Sequence, residues 1–284
     1  MTDRRYLQLD VFAPRPGAGN PLGVVVDAGG LDDAAMQALA AWLKLSETVF
    51  FLPPTALDAD YRIRIFTPQK ELPFAGHPSV GAAWAACELG LAQPRDGRLV
   101  QQCAAGLLPV TVRHADGLRI ASVRSPLARR RDVAAPALPG SLALAAAPAQ
   151  PATLWNNGPD WWLLEVVDEV ALRTLQVDQA ALATLPHTGD LAAFALCDGD
   201  DYRMAVRAFV AEAGVTEDPV TGSANALIAA SLHAQGRLQG GTGYLASQGR
   251  EIGHDGIVAV QLDTTGEVWI GGHVQPVIDG RLSW

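Results

Sequence analysis

The chain has 284 residues, a size that fits one large domain or two domains of about 100 to 150 residues each. With 49% hydrophobic and 18% charged residues, the composition supplies apolar side chains for one or two cores and excludes a disordered chain. The 21 basic and 30 acidic residues give a net charge of -9, which is the wrong sign for neutralising phosphates, so we expect no nucleic acid partner.

Neither a signal peptide nor a membrane span is indicated by the pattern of apolar residues, since no window reaches the roughly 18 apolar residues that a span needs. We therefore expect a cytoplasmic protein with no membrane partner. The three cysteines, Cys87, Cys103 and Cys197, form no CxxC pair, so the sequence predicts neither a disulfide framework nor a thiolate metal site. We interpret them as small core residues.

Strand and helix patterns follow one another in the first part of the chain. An alternating stretch at residues 6–12 and an apolar run at 22–26 flank a turn-rich loop and predict a pair of strands. Asp32 and Asp33 precede a pattern that predicts a helix to about Leu43, because acidic residues suit a helix N-terminus. Further predictions are strands at 48–52 and 61–66, a helix at 78–89, and antiparallel strands within 98–123.

The composition changes between Ser125 and Thr153, where five prolines would interrupt any long helix. We place a domain boundary in this stretch, with one half over residues 1–125 and the other over 126–284. The last strand, near residues 275–284, is expected to pack back on the first half. Beyond the boundary the pattern predicts strands at 161–167, 191–196 and 202–210, a helix at 170–185, and a helix that begins at Pro219.

Two segments on opposite sides of this boundary resemble each other. Each has an Arg-x-Phe strand, then a loop, a polar residue before proline, a glycine and an alanine-rich helix. In this register His77-Pro78 matches Asp218-Pro219, and His77 and Asp218 would each be the N-cap of a helix that begins with proline. We interpret the match as evidence for two related halves.

Three side chains are candidates for acid/base chemistry. Asp218 also fits the alternative of a plain N-cap, whereas histidine is not a favoured cap and the residues around His77 are small. Glu47 precedes a run of Val and Phe, where desolvation would raise the pKa of its carboxyl group; the alternative is an outward strand residue or a charge at a helix end. If the halves face each other, two helix N-termini would suit a carboxylate or another anion.

The sequence lacks the common motifs for nucleotide, zinc and serine-hydrolase chemistry. No P-loop, HExxH, GxSxG or complete GxGxxG is present, and the five histidines other than His77 lack the spacing of metal ligands. We therefore expect no metal site, and nucleotide-binding and serine-hydrolase functions lose their usual support.

Five short motifs stand in order along the chain: Gly19-Asn20-Pro21-Leu22, Leu45-Ser46-Glu47-Thr48, Phe66-Thr67-Pro68, Glu71-Leu72-Pro73-Phe74-Ala75-Gly76-His77-Pro78 and Glu217-Asp218-Pro219-Val220-Thr221-Gly222-Ser223-Ala224. Together they resemble the phenazine-biosynthesis PhzF-like family of isomerases over essentially the whole chain. The resemblance implies an α+β fold of the diaminopimelate epimerase-like type. Two similar domains would each wrap an antiparallel sheet or barrel around a central helix, with the active site in the cleft between them.

The resemblance also implies a cofactor-free isomerisation, in which a glutamate moves a proton between carbons of a small carboxylate-bearing substrate. Glu47 matches that glutamate, and His77 and Asp218 match its orienting or relaying partners. A homodimer is an assembly that the resemblance allows. Two alternatives stay open: an amino-acid racemase or epimerase, and a non-catalytic small-molecule-binding protein of the same fold.

By the same analogy, further residues would contact the substrate. Gly76, Gly222 and Ser223 would present donors to its carboxylate, and Asn20 and Ser46 would border the pocket. A two-cysteine mechanism is not expected, because neither Gly76-His77 nor Glu217-Asp218 supplies a cysteine.

The chain departs from the family pattern at two positions. Ser79 stands where threonine is usual, which is a conservative change. His254 ends a motif, beginning at Gln248, that more often ends in arginine, and this change would alter the charge near the pocket and with it the substrate.

Overall fold

The computed structural model describes residues 3–115, 117–211 and 216–284, and in it the chain divides into two compact units. The first unit comprises the residues up to Arg124 together with Gly271–Trp284, and the second comprises Ser125–Ile270. The C-terminal residues therefore belong to the same unit as the N-terminal strand.

The first unit combines strands with two helices. Its elements are β1 (Asp3–Val11), β2 (Asn20–Val25), α1 (Asp33–Leu43), β3 (Glu47–Leu52), β4 (Tyr61–Phe66), β5 (Glu71–Leu72), α2 (Gly76–Glu88), β6 (Arg98–Cys103), β7 (Gly106–Ala115) and β8 (Leu118–Arg124). The predicted helix after Asp32 is confirmed, since Asp32 is the N-cap of α1 and its side chain accepts a hydrogen bond from the N–H of Ala35. The predicted strand pair at the start is also confirmed, as β1 and β2 are antiparallel.

The second unit combines one long helix with three helices of four to six residues and a similar number of strands. Its elements are β9 (Arg129–Arg130), α3 (Gly140–Ala145), β10 (Thr153–Asn156), β11 (Asp160–Glu165), α4 (Glu169–Thr174), α5 (Gln179–Leu182), β12 (Leu191–Leu196), β13 (Met204–Phe209), β14 (Glu217–Asp218), α6 (Gly222–Ala234), β15 (Thr242–Gln248), a 3₁₀ turn (Arg250–Ile252) and β16 (Gly256–Leu262). A last strand, β17 (Val268–Ser283), starts here, and its residues from Gly271 onward belong to the first unit and pair with β1.

The prediction of one continuous helix at residues 170–185 is wrong. Two short helices, α4 and α5, occupy this stretch, and Asp178 begins the second by accepting a hydrogen bond from the N–H of Ala180. An internal N-cap of this kind favours a new helix start over continuation.

The expectation of antiparallel sheets also needs correction, because the sheets are mixed. In the first unit β2 pairs with β3 in parallel and β4 with β6 in parallel. In the second unit β11 pairs with β12 in parallel and β13 with β15 in parallel. Parallel neighbours need a crossover connection, and α1, α2, the α4–α5 pair and α6 lie in the four connections. The fold is therefore α+β with mixed sheets.

Each unit has one 13-residue helix that is buried along most of its length. In α2 all ten residues from His77 to Ala86 are buried, and α2 contacts β1, β2 and β8. Helix α6 contacts β11 and β16. Small residues allow this close packing: a Cβ added at Gly81 would lie only 2.4 Å from Cδ2 of Leu22.

The internal repeat is present, but its register differs from the one predicted. Strands β4 and β13 each end in Arg-x-Phe and pair with a two-residue strand that begins with glutamate, Glu71 or Glu217, opposite the phenylalanine. Gly76 and Gly222, each five residues after this glutamate, begin the 13-residue helices. The repeat therefore aligns Gly76-His77 with Gly222-Ser223, and the predicted match of His77 with Asp218 is wrong by five positions.

The cysteines behave as expected for small apolar residues. Cys103 and Cys197 are buried, Cys87 is half-buried, and all three are free thiols. None of the helices in the described residues has the length and apolarity that a membrane span requires.

Candidate active site

Glu47 is the first residue of β3, opposite Leu22 in the parallel pair with β2. Its side chain is 17% exposed, and Oε2 lies 3.4 Å from Nε2 of His77. The strand then continues through Thr48, Val49 and Phe50, which are buried. Glu47 is therefore a carboxyl group at the edge of a core, close to a single imidazole.

His77 is the second residue of α2, and its side chain is only 6% exposed. Its ring forms a hydrogen bond with the backbone carbonyl of Pro21. Nε2 has no hydrogen-bond partner among the described residues, so the bond to Pro21 is made by Nδ1 as donor. The Nδ1–H tautomer leaves a lone pair on Nε2, on the side where Glu47 lies.

Burial lowers the pKa of His77 to about 3, and the hydrogen bond to the Pro21 carbonyl offsets only part of this effect. The positive end of the α2 dipole also disfavours an imidazolium at this position. His77 is therefore neutral at physiological pH. A neutral imidazole with a free Nε2 lone pair can accept a hydrogen bond from a protonated Glu47 without taking the proton from it.

The other candidates of the first unit lie next to this pair. Asn20 is completely buried at the start of β2 and directly precedes Pro21. Gly76 begins α2, next to His77, and exposed Ser46 directly precedes Glu47. The structure thus brings Glu47 and His77 into contact distance and places Asn20, Gly76 and Ser46 beside them along the chain.

The second unit holds Asp218 in a network around the start of α6. Oδ2 of Asp218 accepts a hydrogen bond from the hydroxyl of Thr221 at 2.5 Å. Thr221 is the N-cap of α6, but its side chain makes no cap hydrogen bond, and its hydroxyl donates to Asp218. Buried Gln248 bonds to both residues.

Ser223 is the second residue of α6 and is oriented by a tryptophan. The indole N–H of Trp161 donates to Ser223 Oγ at 3.1 Å, and the side-chain amide of Asn157 donates to the Ser223 carbonyl at 3.0 Å. Because the indole occupies a lone pair of Oγ, the hydroxyl hydrogen of Ser223 stays available to another acceptor. With the backbone N–H groups of Gly222 and Ser223, which have no partner within the helix, this start of α6 is rich in donors.

The predicted helix starts therefore need correction. The N-caps are Ala75 and Thr221, not His77 and Asp218. Pro78 is the third residue of α2, where a missing N–H costs nothing, and Pro219 lies before α6, which starts at Gly222 rather than at Pro219. Asp218 is instead the last residue of β14.

Sequence reasoning missed the residues that hold these candidates in place. They share complete or nearly complete burial and hydrogen bonds to the start of α6: Asn157, Trp161, Asn225 and Gln248. Of these four residues, only Gln248 belongs to a motif recognised in the sequence, the one that begins at Gln248 and ends in His254. His254 itself is half-buried, and its backbone N–H bonds to the Gly249 carbonyl.

The described residues contain no group of three or more His, Cys, Asp or Glu side chains placed to hold a metal ion. Glu47 and His77 form a pair rather than such a group. The residues of the candidate site are those of acid/base and anion-binding chemistry.

The chain is similar to known proteins over nearly its whole length. The family model described as phenazine biosynthesis-like protein matches residues 9–280. A trans-2,3-dihydro-3-hydroxyanthranilate isomerase from Pseudomonas aeruginosa is 34% identical, with 98% of each chain covered. Among solved structures, a PhzF-family protein from Bacillus anthracis has a TM-score of 0.85 at 25% identity, with 100% of each chain covered.

A second solved structure, a predicted epimerase from Pseudomonas aeruginosa, has a TM-score of 0.76 at 34% identity and covers 98% of this chain and 99% of its own. The matched residues of the family model include all the candidates in both units. The chain therefore belongs to the phenazine biosynthesis-like protein family and is an isomerase.

Proposed function

We propose that the chain is a cofactor-independent isomerase, which moves a proton between two carbons of a small substrate that carries a carboxylate. The observation that supports this most directly is the pair formed by Glu47 and neutral His77, with 3.4 Å between Oε2 and Nε2. A carboxyl group next to an imidazole that is neutral at physiological pH is suited to taking a proton, holding it and returning it.

In the proposed reaction the Glu47 carboxylate removes a proton from one carbon of the substrate and becomes a carboxylic acid. The electron pair of the broken C–H bond shifts into the conjugated system of the substrate. The O–H of Glu47 is then held by a hydrogen bond to Nε2 of His77. Because the pKa of His77 is about 3, the imidazole does not retain the proton, and Glu47 delivers it to the second carbon.

Asp218 is the proposed third member of the catalytic set. Its Oδ2 is fixed as an acceptor by the Thr221 hydroxyl, so we assign it the orientation of a substrate group or the relay of a proton. The substrate carboxylate is proposed to accept hydrogen bonds from the N–H groups of Gly222 and Gly76 and from the hydroxyl of Ser223. Asn20 and Ser46 are proposed to border the bound substrate.

The proposal also covers the domain arrangement, the cellular compartment and the assembly of the protein. The two units would be the two similar domains of a diaminopimelate epimerase-like fold, divided near residue 125, each with its buried helix, α2 or α6, at the centre of the domain. The protein would act in the cytoplasm as a homodimer. Size-exclusion chromatography with light scattering measures the assembly directly.

The experiment uses trans-2,3-dihydro-3-hydroxyanthranilate, the compound in the name of the Pseudomonas relative, as the test substrate in deuterium oxide. Proton NMR follows the substrate and the appearance of its double-bond isomer. We expect isomerisation together with deuterium at the carbon that receives the proton, to the extent that Glu47 exchanges with solvent. A protein that binds the compound and leaves all C–H signals unchanged over days would contradict the proposal.

A racemase or epimerase is the second candidate, favoured by the likeness to the predicted epimerase structure. It differs in the product, since a proton returned to the same carbon inverts a stereocentre and creates no double-bond isomer. Chiral chromatography of a panel of amino acids incubated with the protein distinguishes the two. An enantiomer formed at a rate far above background would favour the epimerase.

A further inference from the structure

The side-chain amide of Gln248, at the end of β15, is completely buried and makes four hydrogen bonds. Oε1 accepts from the backbone N–H of Thr221 and from Nδ2 of Asn225, both at 3.0 Å. Nε2 donates to the backbone carbonyl of Asp218 at 3.1 Å and to the hydroxyl oxygen of Thr221 at 2.9 Å. One side chain thus ties the end of β14 to the N-cap and the first turn of α6.

These bonds also fix the direction of the hydrogen bond that reaches Asp218. An amide nitrogen donates and does not accept, so the Thr221 oxygen must be the acceptor from Gln248. The single hydroxyl hydrogen of Thr221 is then left for Oδ2 of Asp218, at 2.5 Å. The order of donors runs from Gln248 through Thr221 to Asp218, and it holds Oδ2 as an acceptor.

The backbone around Gln248 packs against the same segment. Gly249 has a φ of +95°, and a Cβ there would lie 2.5 Å from the carbonyl oxygen of Pro219. A Cβ at Gly256 would lie 2.2 Å from Cγ2 of Val220. Pro219 and Val220, which lie between Asp218 and Thr221, are therefore packed tightly against the end of β15 and the start of β16.

We propose that Gln248 is a positioning residue for Asp218, which it orients through the Thr221 hydroxyl and the backbone of the residues between them. The inference rests on the proposed function, because the orientation of Asp218 affects turnover only if Asp218 takes part in the reaction. Nothing in this assignment requires Gln248 to touch the substrate.

The first unit supplies a matched control in Gln101, which is also completely buried. Its Nε2 donates to Ser79 Oγ at 2.9 Å, and its Oε1 accepts from the hydroxyl of Tyr61 at 3.2 Å. Gln101 therefore ties α2 to β4 as Gln248 ties α6 to β15. Its partners, Ser79 and Tyr61, are not candidate catalytic residues. Gln248, in contrast, bonds to the backbone carbonyl of Asp218 and to the Thr221 hydroxyl that donates to Asp218. Replacing either glutamine leaves buried polar partners without hydrogen bonds, so both changes are expected to lower Tm.

The first experiment compares the kinetics of Gln248→Met, Thr221→Val, Thr221→Ser and Gln101→Met with trans-2,3-dihydro-3-hydroxyanthranilate as substrate. We expect kcat of Gln248→Met and Thr221→Val to fall by about 10- to 100-fold, with a much smaller change in KM. Thr221→Ser keeps the hydroxyl and should recover most of the loss. Gln101→Met should lower Tm by a similar amount and kcat far less. Equal kcat values for the two glutamine variants would overturn the proposal.

The second experiment is a double-mutant cycle with Asp218→Asn. If Gln248 acts through Asp218, then Gln248→Met should add almost no further loss of kcat in the Asp218→Asn background. A full multiplicative loss in the double variant would show that Gln248 acts by another route. Normal turnover of Asp218→Asn alone would instead refute the role of Asp218 in the proposed function.

Crystal structures of Gln248→Met and Thr221→Val test the positioning without any substrate. We expect the Asp218 carboxylate to rotate or to occupy several orientations in both variants. A carboxylate that keeps its orientation in both would overturn the proposal. This result stands even if the wild type does not bind the test substrate, in which case only the choice of test substrate has failed.

Discussion

Aligned on β4 and β13, the two units place different side chains at the same points of a shared framework. In each unit an arginine forms a bidentate pair with the glutamate of the next short strand, Arg64 with Glu71 and Arg207 with Glu217. Each arginine also lies over the ring of the phenylalanine two residues later, at 5.0 and 4.8 Å. The repeated residues are those that stabilise the framework.

The residues proposed for chemistry are the ones that differ. His77 of the first unit corresponds to Ser223 of the second, since both are second residues of their helices. Glu47 corresponds to Asp190, because Thr48 and Leu191 stand opposite the matching phenylalanines of β4 and β13. Asp190 accepts a hydrogen bond from the N–H of Ala211, whereas Glu47 faces an imidazole. A repeated fold thus carries a glutamate–histidine pair in one copy and a donor-rich helix start in the other.

The largest effect is expected from removing the carboxyl group of Glu47, the proposed acid/base group of the first unit. Glu47→Gln should lower kcat by about 10²- to 10⁴-fold, because general acid/base catalysis contributes that much, with a small change in KM. Steady-state kinetics with the isomerisation substrate measures both constants. Asp190→Asn, at the corresponding position, keeps its acceptor oxygen and should retain nearly normal turnover. Equal losses of kcat in the two variants would show that Glu47 has no special role compared with Asp190.

The arginine pairs should differ in how much they stabilise the protein, because their burial differs. Arg207→Met leaves Glu217, only 3% exposed, as an unpaired buried charge and should cost about 3–5 kcal/mol. Arg64→Met leaves Glu71, 33% exposed, where water can hydrate it, and should cost about 1 kcal/mol. Urea denaturation of both variants gives the two free energies. Similar losses of unfolding free energy in the two variants would mean that burial does not determine how much each arginine–glutamate pair stabilises the protein.

The first unit should also make folding sensitive to pH through His77. Its pKa is about 3 in the folded protein and 6.5 when unperturbed, so below pH 6.5 the unfolded chain binds a proton that the folded chain does not. Stability therefore falls as pH falls from 6.5 towards 3. Between pH 7 and pH 5, the contribution of His77 to the free energy of unfolding should drop by about 2 kcal/mol.

Urea denaturation at the two pH values, compared with His77→Gln, measures this contribution. The variant should lose less stability between pH 7 and pH 5 than the wild type. Ser223→Ala at the corresponding position removes no titrating group and should keep the slope of the wild type. A wild-type slope in His77→Gln would argue against a neutral buried imidazole.

The smallest effect concerns the packing of the buried helices. Gly81 of α2 corresponds to Leu227 of α6, as each is the sixth residue of its helix. Gly81→Ala should destabilise by about 1 kcal/mol net, because crowding against Leu22 outweighs the better helix propensity of alanine. Thermal denaturation gives the change in Tm. Gly280→Ala is the control: a Cβ there meets no atom within 4 Å, so Tm should hold or rise slightly.

Much of the local structure was predictable because its causes are local. Asp32 marks the start of α1 by capping it, and the alternation of Arg62 and Arg64 with apolar residues predicts β4, where the two arginines are half-buried and their neighbours buried. Glu47 and His77 were chosen from their neighbours in sequence, and the structure places them 3.4 Å apart. Their catalytic roles stay proposals.

The register of the repeat was not predictable from the motifs, because two Pro-containing pairs suggested the wrong alignment. The segment between Phe209 and Glu217 is three residues longer than the one between Phe66 and Glu71, and residues 212–215 in it lie outside the described part of the chain. The two-residue strands that set the register are too short to produce an alternating pattern. Asp218 was consequently taken for a helix cap.

The hydrogen bonds of Gln248 could not be predicted either, because they join residues that are distant in sequence. Its partner Asp218 lies 30 residues earlier, and the two meet because β15 pairs in parallel with β13, next to β14. A glutamine at the end of a strand is ordinarily exposed. Its complete burial follows from the pairing of the strands, which the sequence of β15 alone does not specify.

Because the last strand, β17, pairs with β1, the two units are completed at different times during synthesis. Ser283 stands opposite Asp3 in this pairing, so the first unit lacks one of its strands until the residues up to Ser283 have been synthesised. The second unit ends at Ile270 and has all its residues earlier. At about 5–20 residues per second the difference is on the order of a second, long enough for a domain to fold. Translation from the N-terminus therefore finishes the second unit first.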